Sequence, residues 1–92
     1  MDAEDFMNFD GWMGFERSWT GRSIQVWEDD GNGTALSTKV EVSVPTLQNA
    51  LRGCDAMDEG TISFFDAAAI NARAFRLQNT ACVLQRLGIH RL

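Results

Sequence analysis

From Phe15 onward apolar and polar positions alternate, and a period of two marks strands. Ser23-Ile24-Gln25-Val26-Trp27-Glu28 puts Ile24 and Val26 on one face and Trp27 on the other. Residues 35–44 resume the alternation, with Val40, Val42 and Val44 facing one way and Lys39, Glu41 and Ser43 the other. Phe15 to Trp19 predicts the preceding strand, and Thr20-Gly21-Arg22 the turn after it. Asp29-Asp30-Gly31-Asn32-Gly33 predicts a second turn, because Asp, Asn and Gly tolerate positive φ. The pattern is an antiparallel meander over residues 15–44.

Beyond it the period changes. Pro45 cannot donate to a ladder, so it ends the last strand and opens a helix at Thr46. Leu47, Ala50 and Leu51 give helical spacing over 46–52, with Gly53 as the stop. Asp55 to Gly60 reads as an acidic loop. Ser63 to Asp66 has capping-box spacing. A 3.6-residue period then predicts a long helix over 64–87, with Ile70, Ala74, Leu77, Ala81 and Leu84 on one stripe, Gly88 as terminator and Arg86 in the last turn. Asn79-Thr80 offers a break that would make it two helices. Residues 1–14 lack a clean period. Phe6, Met7, Phe9, Trp12, Met13 and Phe15 cluster there, with Asp10-Gly11 and Gly14 read as turns. The predicted fold is one α+β domain over 1–92, a small antiparallel β-meander packed against a short helix and a long C-terminal helix.

Composition changes this picture mainly through charge. Ninety-two residues, 45% hydrophobic and 23% charged, suit a single thin-cored domain rather than a disordered chain. Thirteen acids against eight bases give a net charge of −5, which argues against a generic nucleic-acid binder. The charges are segregated: residues 1–66 hold all thirteen acids and four bases, a net of −9, whereas residues 67–92 hold four arginines and no acid, a net of +4. The sequence has no run of 18 apolar residues to span a membrane. Met1-Asp2-Ala3-Glu4-Asp5 is acidic where a secretion signal is basic, so the expectation is a cytoplasmic protein whose Cys54 and Cys82 are reduced thiols.

Candidate chemistry is sparse. Counted from Glu28, the Asp-Asn-Gly turn resembles a calcium loop, but position 12 is then Lys39; counted from Asp30, position 6 is Ala35 where glycine is needed. Two cysteines and His90 are too few for zinc. His90 is the single histidine, no glycine-rich phosphate loop precedes a helix, and the expectation is a protein that is not an enzyme. Binding residues are better candidates. Trp27 falls on the face opposite Ile24 and Val26, and an exposed tryptophan beside Glu28, Asp29, Asp30 and Asn32 would anchor a partner; the competing reading is local packing. Arg73 and Arg76, three apart on a helix, would share a face and clamp phosphate or carboxylate; the competing reading is a solvated face.

From Met1-Asp2-Ala3-Glu4-Asp5-Phe6 to Gly88-Ile89-His90-Arg91-Leu92, the chain resembles small phage-encoded anti-CRISPR proteins, more narrowly those acting on the type I-F (Csy) surveillance complex. That family shares no signature motif, so no residue roles carry over. The resemblance implies a stoichiometric inhibitor that binds the CRISPR RNA–protein complex in the host bacterial cytoplasm and blocks hybridisation of target DNA. It implies a monomer with no cofactor, no metal, no small-molecule substrate and no membrane partner. Carboxylates at Glu28, Asp29, Asp30, Asp55, Asp58 and Glu59 would meet the target's cations, and the arginines beyond residue 67 its guide-RNA phosphates. Two alternatives stand beside it: a phage or mobile-element structural protein self-associating through 1–15, and a helix-turn-helix regulator using 64–87.

Overall fold

The computed structural model describes residues 10–65 and 71–92. Four strands form one antiparallel sheet in the order β3-β2-β1-β4: β1 Gly11–Arg17, β2 Ser23–Asp29, β3 Val40–Ser43 and β4 Arg73–Leu77. Three helices accompany it among the described residues: α1 Val44–Gly53, α2 Glu59–Ser63 and α3 Thr80–Leu87. The α+β class is as the sequence predicts. None of these helices is long and apolar enough to cross a membrane.

The register sorts the side chains. Phe15 lies opposite Val26, Met13 opposite Phe75, and Ile24 opposite Val42, so one face of the sheet is apolar. Met13, Phe15, Ile24 and Val26 are fully buried there, in one cluster with Leu47, Ala50 and Leu51 of α1, Ile62 of α2, and Val83, Leu84 and Leu87 of α3. At its centre Phe15, Phe65 and Phe75 meet edge-on or tilted, with centroids 4.9–5.7 Å apart. Local signals fix the helix ends. The Ser43 hydroxyl accepts from the Thr46 N–H at 3.2 Å and caps α1, with Pro45 in its first turn. The Asp58 carboxylate accepts from the Thr61 N–H at 2.8 Å and caps α2. Gly88, at φ +69°, closes α3 in the left-handed region, with Arg86 in the last turn, both as expected.

The long C-terminal helix over 64–87 is not formed. Residues 66–70, which include Asp66 of the capping-box pattern, lie outside the described residues. Arg73–Leu77 is a strand on the β1 edge, and helix resumes only at Thr80. The reason is a short apolar run that satisfies both periods: Phe75 and Leu77 alternate inward as well as they stripe. The break at Asn79 is real, with φ +52°, but what precedes it is a strand, so residues 73–87 do not supply a helix-turn-helix. Gly14 is mid-strand rather than a turn, β3 is shorter than 35–44, and Asp55 to Gly60 ends in the start of α2.

Cys54 and Cys82 are corrected as well: they form a disulfide, with Cα atoms 5.8 Å apart, where the sequence predicted free thiols. Cys54 caps the end of α1 and Cys82 lies in the first turn of α3. Only the packing of those helices brings the two together, across 28 positions of sequence. A loop of that size contributes roughly 3–4 kcal/mol by restricting the unfolded chain. Urea denaturation with and without reductant is expected to differ by that amount, with Cys54→Ser/Cys82→Ser matching the reduced protein. Coincident curves would show that no link forms.

Candidate functional site

The second face of the sheet carries Trp12, Gly14, Gln25, Trp27 and Arg76 at alternate positions. Alternation places Trp27 there as predicted, yet its side chain is buried. The reason is its cross-strand partner. Trp27 pairs with Gly14, and the indole lies in the space that glycine leaves: a Cβ at position 14 would sit 1.9 Å from the ring. The indole Nε1 donates to Asp29 Oδ2 at 2.8 Å, and the Lys39 ammonium lies 4.6 Å from the ring centre. Trp27 is thus pinned from beside and above, and does not present the exposed ring that the sequence predicted.

The acidic turn is consumed in the same way. Asp29 is buried; its Oδ1 accepts from the Gly31 N–H at 2.8 Å and the Gly33 N–H at 3.1 Å. Asp30 is exposed, but its Oδ1 accepts from the Asn32 and Thr34 N–H groups at 2.7 and 3.2 Å, which hold its carboxyl below the usual range. Glu28, on the apolar face, is buried too, with a side chain 4% exposed. Arg91 meets it in a fork, Nε to Oε2 at 2.8 Å and Nη2 to Oε1 at 2.5 Å. Around that pair the C-terminal segment runs beside residues 36–38: Leu92 N–H donates to the Leu36 carbonyl at 3.1 Å, and Ser37 bridges Arg91. Of the five residues expected to bind a partner, Asp30 and Asn32 alone remain exposed.

Arg73 and Arg76 do not share a face. Three apart on a strand, they point to opposite sides. Arg73 stacks over Phe75 at 4.2 Å; Arg76 reaches Asp10 at 4.0 Å. Among the other acids, Glu59 is held in a fork by Arg52 at 2.7–3.0 Å, which pulls its carboxyl down. Asp10, Asp55 and Asp58 are exposed around a cleft of about 550 Å³, which Met57, Arg76, Leu77 and Gln78 also line. Asp58 is lowered by its Thr61 hydrogen bonds. Asp10 precedes β1 and Asp30 follows β2 at the paired end of the same two strands, so these carboxylates belong to one end of the sheet.

The opposite end is different in kind. The β1–β2 turn is stitched by hydroxyls: Gly21 N–H donates to the Ser18 carbonyl at 2.9 Å, Ser23 Oγ donates to Ser18 Oγ at 2.9 Å, and Ser18 and Thr20 hydroxyls lie 2.7 Å apart. Gly21 supplies the bend at φ +73°. Trp19 stands out of this turn, 92% exposed. Sequence reasoning passed over it because position 19 reads as the end of a strand, where an aromatic is expected to pack. Phe64 is also exposed, at 85%. Of the apolar cluster offered for self-association, Trp12, Met13 and Phe15 fall among the described residues; Met13 and Phe15 are in the core and Trp12 is half-buried.

Compared with known proteins, the chain matches no family model, no curated protein and no solved structure. The site rests on its geometry alone.

Two variants check this geometry. Gly14→Ala is expected to lose about 1–3 kcal/mol of stability, because Trp27 must leave its seat; loss of the near-ultraviolet circular dichroism of the indole reads the displacement. An unshifted melt would place Trp27 elsewhere. Arg91→Ala leaves a buried carboxylate without its guanidinium and should cost about 1–3 kcal/mol in urea unfolding. Adding Glu28→Gln should restore part of that loss, and an Arg91→Ala midpoint equal to wild type would make the clamp idle.

Proposed function

We propose that this chain acts by stoichiometric binding rather than by turnover, as an anti-CRISPR inhibitor that occupies the type I-F (Csy) surveillance complex and keeps target DNA from hybridising. The observation that carries the reading is the acidic end of the sheet. Asp10, Asp55 and Asp58 ring an open cleft, with Asp30 exposed at the same end. A channel that receives DNA is lined with lysine and arginine, and an exposed carboxylate array steers encounter with such a surface and competes for its cations. The resemblance of the whole chain supplies the identity of the target; the charge arrangement supplies the physics.

The buried residues narrow the contact set. Trp27, Glu28 and Asp29 hold the fold, so binding falls to Asp30 and Asn32 of the turn and to the cleft carboxylates. In a reducing cytoplasm the Cys54–Cys82 link opens, so binding is measured with and without reductant.

Tagged protein is titrated against purified surveillance complex, with displacement of target DNA as the readout. Asp10→Asn/Asp55→Asn removes two charges and keeps side chains that suit the left-handed backbone of residue 55. Association is expected to weaken roughly three- to tenfold and to lose salt dependence, with an unchanged melt. Equal binding by wild type and the double variant would remove the acidic end from the contact, and no binding by wild type would remove the reading.

A further inference from the structure

The two sulfurs of the Cys54–Cys82 bond sit in unlike surroundings. Cys54, at the end of α1, is buried, at 5% exposure, whereas Cys82, in the first turn of α3, is only half-buried. We infer that this bond is a thiol–disulfide exchange site, opened in the folded protein by a dithiol that attacks at Cys82. The inference concerns the chain's own chemistry and asks nothing of the target named above.

Three observations carry it. Exchange needs a sulfur that an incoming thiolate can reach, and Cys82 is the more open of the two. Exchange also needs a stabilised leaving thiolate. Arg86 lies one turn beyond Cys82 on the same side of α3. Its guanidinium reaches across to α1 and fills the space that a side chain at Gly53, next to Cys54, would take. No carboxylate among the described residues pairs with Arg86, so its charge is not spent elsewhere. The N–H groups at the start of α3 add partial positive charge on the Cys82 side. The other charges near Cys54 are engaged or turned away: Arg52 is held by Glu59, Asp58 caps α2, and Asp55 faces the cleft.

The third observation is position. The Cys54 carbonyl accepts from Asn79 Nδ2 at 2.8 Å, and the next residues, Asp55 and Ala56, begin the rim of the acidic cleft. The Ala56 carbonyl accepts from the Gln78 N–H at 2.9 Å. The disulfide therefore ties that rim to α3, and its opening leaves the rim on hydrogen bonds alone.

The step balances. One thiolate of the dithiol attacks Cys82 Sγ, the sulfur–sulfur bond breaks, and Cys54 leaves as a thiolate beside Arg86. The second thiol of the reductant then attacks the mixed disulfide and releases Cys82. Two electrons pass from the dithiol, which ends as a disulfide, to the protein, which ends as two thiols that take up the protons.

The oxidised full chain is mixed with dithiothreitol, and the thiols formed are trapped with iodoacetamide and counted by mass. Expected is reduction that is first order in dithiothreitol and unchanged by urea well below the unfolding midpoint, because the folded state itself reacts. Arg86→Gln should slow it about threefold to tenfold, and Arg86→Lys should keep most of the rate. A merely structural arginine would behave oppositely, since loosened packing would speed reduction. Among single-cysteine chains, Cys54→Ser should react with an aromatic disulfide about tenfold faster than Cys82→Ser. Reduction that rises with urea in step with unfolding would make the bond structural only and overturn the inference. Equal or faster reaction of Cys54 would overturn the attack at Cys82, and an undiminished rate in Arg86→Gln would overturn the role of the cation. The wild-type kinetics decide alone where a single-cysteine chain does not fold.

Discussion

The seat that Gly14 provides for Trp27 is the constraint around which the outer face is organised. A side chain at position 14 would collide with the ring, and without the ring Asp29 would lose its indole donor. Asp29 in turn gathers the Gly31 and Gly33 N–H groups and so sets the path of the turn after β2. Between them in sequence, Glu28 points to the other face and holds Arg91, which brings the C-terminal residues alongside 36–38. Three consecutive residues therefore tie together both faces of the sheet, the acidic turn and the end of the chain. A buried carboxylate is costly unless it is paired or multiply hydrogen-bonded, and both of these are. Their burial is structural, and it removes them from the surface at which a partner would look.

That accounts for where the sequence misled. Alternation correctly put Trp27 opposite Ile24 and Val26, because the period of two survives any register. It could not say that the cross-strand neighbour would be a glycine, since Gly14 read as a turn and the pairing of β1 with β2 is a tertiary fact. Trp19 misled in the other direction, as a strand residue that turned out to stand on a bend. The meander, a helix opening at Pro45 and the stop at Gly88 were legible because each rests on local chemistry: alternation, a proline that cannot continue a ladder, and a glycine in the left-handed region. The Ser43 cap, which starts α1 two residues earlier, was hidden inside the strand alternation. The strand β4 was not. Its five residues carry both a helical stripe and an alternation, and the edge of β1, which decides between them, lies about sixty positions away in sequence.

The disulfide shows the same divide. Cys54 and Cys82 carry no spacing signal, and their pairing depends on α1 and α3 lying side by side against the sheet. Once made, it closes the connection through α2 and β4 into a loop of 28 positions. Arg73 and Arg76 illustrate the consequence for function. On a helix they would have formed one clamp; on a strand they divide, one beside Phe75 and one beside Asp10 at the acidic cleft.

Charge that is segregated along the chain is regrouped by the fold, so that carboxylates from distant segments meet at one end of the sheet. The acidic end draws on Asp10 from before β1, Asp30 from after β2, and Asp55 and Asp58 from between the first two helices. The other end carries both signs, with Arg22 and Arg73 alongside Glu16 and Glu41, which flank Gln25 in the register. Strand direction sets this arrangement, because antiparallel pairing returns the chain to the same end every second crossing. Carboxylates gathered at one end give the molecule a preferred orientation in the field of a cationic surface. The torque acts before contact, when the separation is still of the order of the Debye length, about 8 Å at physiological salt. Such a molecule needs no deep pocket to be selective: a cationic surface meets the carboxylate end in preference to the end where acids and bases alternate.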